Sequence, residues 1–310
     1  MLYTGYQGFS DAMMPLRMAA RAALWCRDQL GPFADLPLTR RAFAIAETLD
    51  SAQMTHSRPD YRIRSVLSGN REVAVREEVT LDLPFGDLLH FAKDEVEAPQ
   101  PKMLVVAPLS GHFATLLRST VATLLKDHDV YMTDWKNARD IPLSEGRFGF
   151  AEYTDYVIRF LQELGPKSHL LAVCQPCVPA LAAVSLMAQD HDPAQPRTMT
   201  LMGGPVDTRE SPTVVNELAN SKPYSWFEES LISAVPWRYP GAGRKVYPGF
   251  MQLTAFMWMN LERHGSQYRK MYQHLADGQE NEAGRIREFY DEYLAVLDLT
   301  AEFYLERSEE

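Results

Sequence analysis

The chain has 310 residues, 46% hydrophobic and 23% charged, enough apolar material for one large core or a core with a subdomain. A formal charge of -10 and a pI near 5.4 argue against a phosphate-binding surface, and no Lys/Arg cluster with interleaved aromatics offers a local exception, so no nucleic acid is expected as a partner. Three cysteines are too few for a disulfide framework and point to a reducing, cytoplasmic compartment.

From Ala12 to about Leu30, Met14, Met18, Ala22 and Trp25 recur at helical spacing between Arg17, Arg21 and Arg27, which predicts an amphipathic helix. Its apolar face either packs on a core or, being rich in methionine, lies on a hydrophobic particle. Asp11, Arg17 and Arg21 interrupt the opening stretch, so no secretion signal is expected, and no run approaches the roughly 20 apolar residues that span a bilayer. Leu38 to Met54 reads as a second helix.

Glu72 to Phe91 alternates with the period of a strand and breaks at Pro84-Phe85-Gly86, which predicts two strands joined by a turn. The all-apolar MLVVAP, Met103 to Pro108, reads as a strand buried on both faces. A helical stretch follows, then the strand DVYMTDW, a helix from Phe150 to Leu164 closed by Gly165-Pro166, the strand HLLAV, the helix PCVPALAAVSLMAQD, and a last strand in Arg197 to Gly204. Strands alternating with such helices imply a mostly parallel sheet with helices on both faces, because parallel neighbours need crossover connections. The expected class is therefore α/β. After Asp207 the alternation stops, and Gly249 to Tyr272 and Asn281 to Glu306 read as helices of a cap. The organisation expected is a helical segment over 1–70, an α/β core over 71–210 and a helical cap region over 211–310.

Chemistry concentrates at Cys174-Gln175-Pro176-Cys177, where the HLLAV strand turns into a helix. In an open α/β sheet, reactive groups sit at the carboxyl ends of strands, and a tight strand-to-helix turn is where a nucleophile elbow raises its residue above the sheet. Ala172, two residues before Cys174, is small enough for strand and helix to approach, whereas Pro176 biases Gln175 away from the α region. A thiol suits the place, because a helix N-terminus favours an anion. The Gln175 N–H and an N–H near Ser110, after the MLVVAP strand, are the candidate oxyanion donors. Competing readings are a thioredoxin-like C-x-x-C redox pair, a zinc half-site lacking a second pair of ligands, and two structural thiols. Cys177, three positions on, reads as core, and Cys26 as packing.

The combination of APLSGHFATLLRSTV (107–121), DVYMTDWKNARDIP (129–142), AVCQPCVPALAAVSLMA (172–188), TLMGGPVDTRESPTVVNELA (200–219) and DLTAEFYLE (298–306), with the MLYTGYQ start, resembles the intracellular polyhydroxyalkanoate depolymerases over nearly the whole chain. The resemblance implies an α/β-hydrolase-like sheet with a helical cap, no cofactor, and Cys174 as a nucleophile that cleaves ester bonds of poly(3-hydroxyalkanoate) on cytoplasmic storage granules. Similar proteins continue past the LTAEFYL helix with the last core strands, an acid and a histidine. The chain is thus expected to be C-terminally truncated, leaving an open sheet edge near Arg197 to Gly204 that favours aggregation or a homo-oligomer. Asp207, His112 and His264 are the candidate substitutes for the acid and base, with plainer roles as a turn residue, a loop-ordering donor and an exposed helix-end residue. Trp226, Phe227, Trp237, Tyr239, Trp258 and Tyr272 either form an apolar bed for the polymer or pack in cores. Two rival functions stay open: a non-catalytic granule-binding protein and a dithiol oxidoreductase.

Overall fold

The computed structural model describes residues 2–94, 98–210, 212 and 214–309. Their strands are β1 Ser65–Ser68, β2 Arg71–Leu83, β3 Gly86–Lys93, β4 Lys102–Val106, β5 Asp129–Trp135, β6 His169–Val173, β7 Thr198–Met202, β8 Ser233–Ala234, β9 Lys245–Tyr247 and β10 Leu299–Thr300. Their α-helices are α1 Leu2–Arg27, α2 Pro37–Ser51, α3 Arg118–Leu124, α4 Phe150–Leu164, α5 Cys177–Gln189, α6 Val214–Ser221, α7 Tyr224–Leu231, α8 Gly249–Met259, α9 Leu261–Ala276, α10 Glu280–Tyr293 and α11 Ala301–Glu309. The chain forms two compact units, 1–59 with 250–296, and 60–249 with 297–310.

The second unit is built on a seven-stranded sheet in the order β1-β2-β3-β5-β4-β6-β7. β4, β5, β6 and β7 are mutually parallel, and β1, β2, β3 and β5 pair antiparallel in turn, so five of the seven strands run one way. The β4-to-β5 crossover runs toward one edge, whereas β5-to-β6 and β6-to-β7 run toward the other. Right-handed crossovers in opposite directions put α3 on one face of the sheet and α4 and α5 on the opposite face, where those two helices pack together. This is the mostly parallel α/β architecture that the sequence leads one to expect. Leu104, Val105 and Val106 of β4 are fully buried, as a central parallel strand requires. Pro84-Phe85 makes the β2–β3 turn, and Gly86 closes it where a Cβ would meet the Trp135 ring at 2.7 Å.

α4 buries Tyr153, Tyr156, Val157, Phe160, Leu161 and Leu164, a stripe at helical spacing, and ends at Gly165 with φ 76°. Its first amides are capped by carboxylates, Gly149 N–H donating to Glu152 at 2.7 Å and Phe150 N–H to Glu306 of α11 at 2.7 Å. A small sheet β10-β9-β8 lies in the same unit, with Tyr304 of α11 stacked on Tyr247 of β9. Beside β9, the buried Arg244 guanidinium donates to the carbonyls of Ile141 (3.0 Å), Pro142 (2.5 Å) and Gly146 (2.8 Å) and lies over the Phe85 ring. It pins the 141–146 loop to its surroundings through charge-assisted bonds.

The first unit is helical. Ala44, Met271, Leu275 and Ala283 form one cluster, and Leu253, Tyr290, Leu294 and Val296 another. Three boundaries differ from those predicted. α1 begins at Leu2 instead of Ala12, because Tyr3 is buried edge-on against Phe250 and Tyr6 stacks on the same ring, contacts that hold the first turns helical despite Gly5 and Gly8. The helix expected over Gly249 to Tyr272 breaks at Asn260, whose φ −139° and ψ 37° are not helical. The helix expected over Asn281 to Glu306 stops at Tyr293. Val296 N–H bonds to Thr55 O instead, and the chain stays extended and buried to Asp298 before α11 starts.

A further difference concerns the predicted apolar stripe of α1. Met14, Met18 (63% exposed) and Trp25 (72%) face solvent with Phe9 and Leu16, and Arg21 is the one charged residue among the exposed positions of Leu2–Cys26. The packed side of the helix is carried instead by Tyr3, Tyr6, Met13, Arg17, Ala20 and Leu24.

Two outcomes follow from the packing. Replacing Arg244 by Met removes the partner of three carbonyls, of which that of Ile141 is buried and those of Pro142 and Gly146 can turn to water, and is expected to cost about 2 kcal/mol in urea unfolding; a loss below about 0.5 kcal/mol would refute the clamp. At the sheet edge, β7 pairs with β6 and with no other described strand, and TMTLM carries no charge or proline to blunt its open side. Thr200→Lys is therefore expected to raise the fraction of protein that stays unaggregated in light scattering, and unchanged aggregation would clear this edge.

Candidate active site

The turn after β6 is built around a strained cysteine. Cys174 has φ 67°, in the left-handed region that a side chain with a Cβ rarely enters, and it is exposed. Two backbone bonds hold it there. Its N–H donates to Met202 O at 2.7 Å, and its C=O accepts from Cys177 N–H at 3.1 Å. Strain of this kind persists where surrounding bonds over-determine the backbone, and it is concentrated at functional sites. The predicted conflict at Pro176 is resolved by position: Pro176 caps the helix at φ −69° and ψ −1°, and the first helical residue is Cys177.

Cys177 faces the other way. It is fully buried, its Sγ lies 3.4 Å from Ala172 O and 3.8 Å from Met202 O, and burial pushes its thiol up from the ordinary range. All three cysteines are free thiols. Gly204, just after β7, lies so close that a Cβ there would run into Cys177 Cβ and Sγ and, at 2.7 Å, Cys174 O. The glycine is what lets β7 and the first turn of α5 approach.

The loop after β4 comes to the same place. Ala107 is fixed on both sides, its N–H donating to Thr133 Oγ1 at 2.9 Å and its carbonyl accepting from Trp135 Nε1 (2.8 Å) and Tyr153 Oη (3.2 Å). Two residues on, Leu109 N–H donates to the side-chain Oε1 of Gln175 at 3.1 Å. Ser110, half-buried, and then the buried His112 follow in that loop, and Gly111 O accepts from Leu297 N–H at 3.0 Å. The structure thus joins Cys174, Gln175 and the Ser110 loop in one neighbourhood.

The remaining candidates lie in other settings. Asp207 sits in an exposed turn, gripped by the Arg209 guanidinium at 2.6 and 2.9 Å and by its N–H at 3.0 Å, and these bonds hold its carboxyl below the usual range. His264 belongs to the helical unit. It is 8% exposed, a correction to the exposed position expected, and its Nδ1 lies 2.9 Å from Tyr290 Oη. Burial, with Arg263 nearby, pushes its pKa down. Among the described residues no group of three or more His, Cys, Asp or Glu is arranged to hold a metal ion. Of the aromatics expected as a bed, Trp258 and Tyr272 lie in the helical unit and the other four in the sheet unit, with Phe227 buried and Trp237 exposed.

Sequence reasoning missed three features. Gly204 was visible as part of a Gly-Gly after a strand, but its contact with Cys177 requires the β6–β7 pairing. The Gln175 side chain gave no signal. Arg307 of α11 is buried enough for its pKa to fall, and Tyr304, Cys174, Tyr247 and Tyr153 are the groups that act on its charge.

The strain makes a prediction. Cys174→Gly removes the left-handed penalty, roughly 1–2 kcal/mol, against about 0.5–1 kcal/mol of extra chain entropy, so stability is expected to hold or rise by up to about 1.5 kcal/mol; a drop in urea midpoint would mean the φ is relaxed in solution. Gly204→Ala is expected to destabilise by at least about 2 kcal/mol through overpacking.

Residues 203–310 match the family described as "PHB de-polymerase C-terminus". Among curated proteins none matches the chain. Of solved structures, the naproxen esterase (carboxylesterase NP) of Bacillus subtilis is similar at 17% identity and a TM-score of 0.31, over 52% of this chain and 47% of the esterase. A hypothetical protein of Pseudomonas aeruginosa PAO1 is similar at 14% identity and a TM-score of 0.33, over 51% of this chain and 55% of its own. The chain therefore spans about half the length of each structure. The matched stretch, 203–310, is about the last third of the chain, and its similarity to that family agrees with the resemblance read from the sequence.

Proposed function

We propose that the chain is an ester hydrolase acting on poly(3-hydroxyalkanoate) through an acyl-Cys174 intermediate. The observation that carries this reading is the exposed, left-handed Cys174 at the β6–α5 turn, with the loop after β4 tied to the adjacent residue. In the first step the thiolate sulfur attacks the ester carbonyl carbon, and the carbonyl electron pair moves onto oxygen, where the Gln175 and Ser110 amides receive it. Collapse of that intermediate breaks the carbon–oxygen bond, the alkoxide takes a proton from solvent water at the exposed turn, and a thioester remains. Water or an acceptor thiol then attacks the thioester and frees the sulfur. Cys177 stays a buried thiol throughout, which disfavours the dithiol reading. His112, in the same loop as Ser110, orders that loop, and Asp207 serves its own turn.

The family description of residues 203–310 supports the polymer as substrate. So does α1, on which the exposed Met14, Met18 and Trp25 share one face over about 16 Å of helix with few hydrogen-bonding groups, as a condensed polyester surface requires. No helix among the described residues is long and apolar enough to cross a membrane, and granule association in the cytoplasm is part of this proposal. The same α1 face favours a second reading, a protein that binds polyester granules without cleaving them.

Incubation with amorphous poly(3-hydroxybutyrate) particles separates the readings. The chain is expected to sediment with the particles and release soluble 3-hydroxyacid, Cys174→Ala to lower release on the order of 1000-fold or more without loss of sedimentation, and Met18→Glu with Trp25→Ser to lower sedimentation. Release that is indifferent to Cys174→Ala would sink the catalytic reading, and sedimentation without any release would leave the binding one.

A further inference from the structure

We infer that the carboxamide of Gln175 is a positioning residue that sets the second oxyanion donor relative to the first, an inference that rests on the ester-hydrolase reading above. Between Ala107, fixed by three side chains, and Gly111, fixed through its carbonyl, the loop runs through Pro108, Leu109 and Ser110. Pro108 has no N–H to give. Among the described residues, the bond that fixes the middle of this loop is Leu109 N–H to Gln175 Oε1 at 3.1 Å.

Gln175 is 4% exposed and Leu109 equally so, which makes this a buried bond in a low-dielectric setting, where geometry is held firmly. Ordering and desolvating a glutamine side chain is costly, and its Nε2 finds no partner among the described residues, so the Oε1 bond is the polar return on that burial. The bond has a second effect. It occupies the Leu109 N–H, which therefore cannot serve as an oxyanion donor, and leaves the duty to the next amide, that of Ser110. One residue thus supplies the first donor through its main chain and locates the second through its side chain. A donor displaced by a fraction of an ångström loses much of its effect on the developing oxyanion, because such stabilisation depends on donors already in place when charge appears.

The test compares two reactions of the same sulfur in a Cys26→Ser background, which leaves Cys174 as the exposed thiol. Acylation by p-nitrophenyl butyrate passes through a tetrahedral oxyanion; alkylation by iodoacetamide is a direct displacement at carbon that does not use one. Gln175→Met keeps the volume but removes the acceptor, and Gln175→Asn keeps an amide but draws it back by one methylene. Either is expected to slow the acylation burst by roughly 100-fold, with alkylation changed by less than about twofold. Ser110→Pro, which deletes the second N–H, is expected to slow acylation alike, and the double variant to be no slower than the slower single one. Unchanged acylation in both Gln175 variants, an equal fall in alkylation, or additive effects in the double variant would overturn the inference. Failure of the unaltered chain to be acylated at all, while still alkylated, would instead overturn the hydrolase reading on which it rests.

Discussion

The left-handed backbone at Cys174 is the constraint around which the sheet unit is arranged. Its N–H reaches across to Met202 O at the end of β7, and its C=O receives the first amide of α5. Both bonds depend on the space at Gly204, since a Cβ there collides with Cys177 and with the Cys174 carbonyl and would force the turn to shift. The strain at one residue is therefore sustained by a strand pairing, a helix start and a glycine, each supplied by a different part of the chain.

Behind that turn lies a second arrangement of fixed backbone. Ala107, at the end of β4, is held by Thr133 and Trp135 of β5 and by Tyr153 of α4. These groups come from a neighbouring strand and from a helix on the sheet's face, so the loop inherits the rigidity of the sheet centre. Arg244 does the same for the 141–146 loop through three carbonyls. Asp298 adds a third tie: fully buried, it donates its N–H to Asn137 Oδ1, accepts at its carbonyl from Ala138 N–H, and receives Gly249 N–H at its carboxylate. Loops that would otherwise move are thus fixed by bonds from buried polar groups, where a lost partner is expensive.

Local pattern predicted the elements with strong periodicity. Asp129–Trp135 and Phe150–Leu164 have the bounds expected, because an apolar run between turn residues and a 3.6-residue stripe between Gly149 and Gly165 leave little freedom of register. Prediction failed where distant packing overrode local preference. Residues 2–11 are helical because Tyr3 and Tyr6 meet Phe250, some 240 positions away. The long helix expected through Glu306 is cut because Leu294 to Asp298 finds extended partners elsewhere in the chain. The stripe Met14, Met18, Trp25 was legible as periodic, but periodicity does not say which side of a helix meets protein and which meets solvent.

By itself the sequence determined the α/β class, the strand-to-helix turn at Cys174 and the run of apolar residues that buries β4 on both faces, since alternation, turn residues and burial tendency are properties of short segments. Tertiary structure alone decided that β5 lies between β3 and β4, that 1–59 folds with 250–296, that Gly204 makes room for the Cys174 turn, and that a glutamine side chain ties the loop after β4 beside it. The reason is physical: each of these is a contact between residues far apart in the chain, and its energy exists only once the sheet has brought its members within bonding distance.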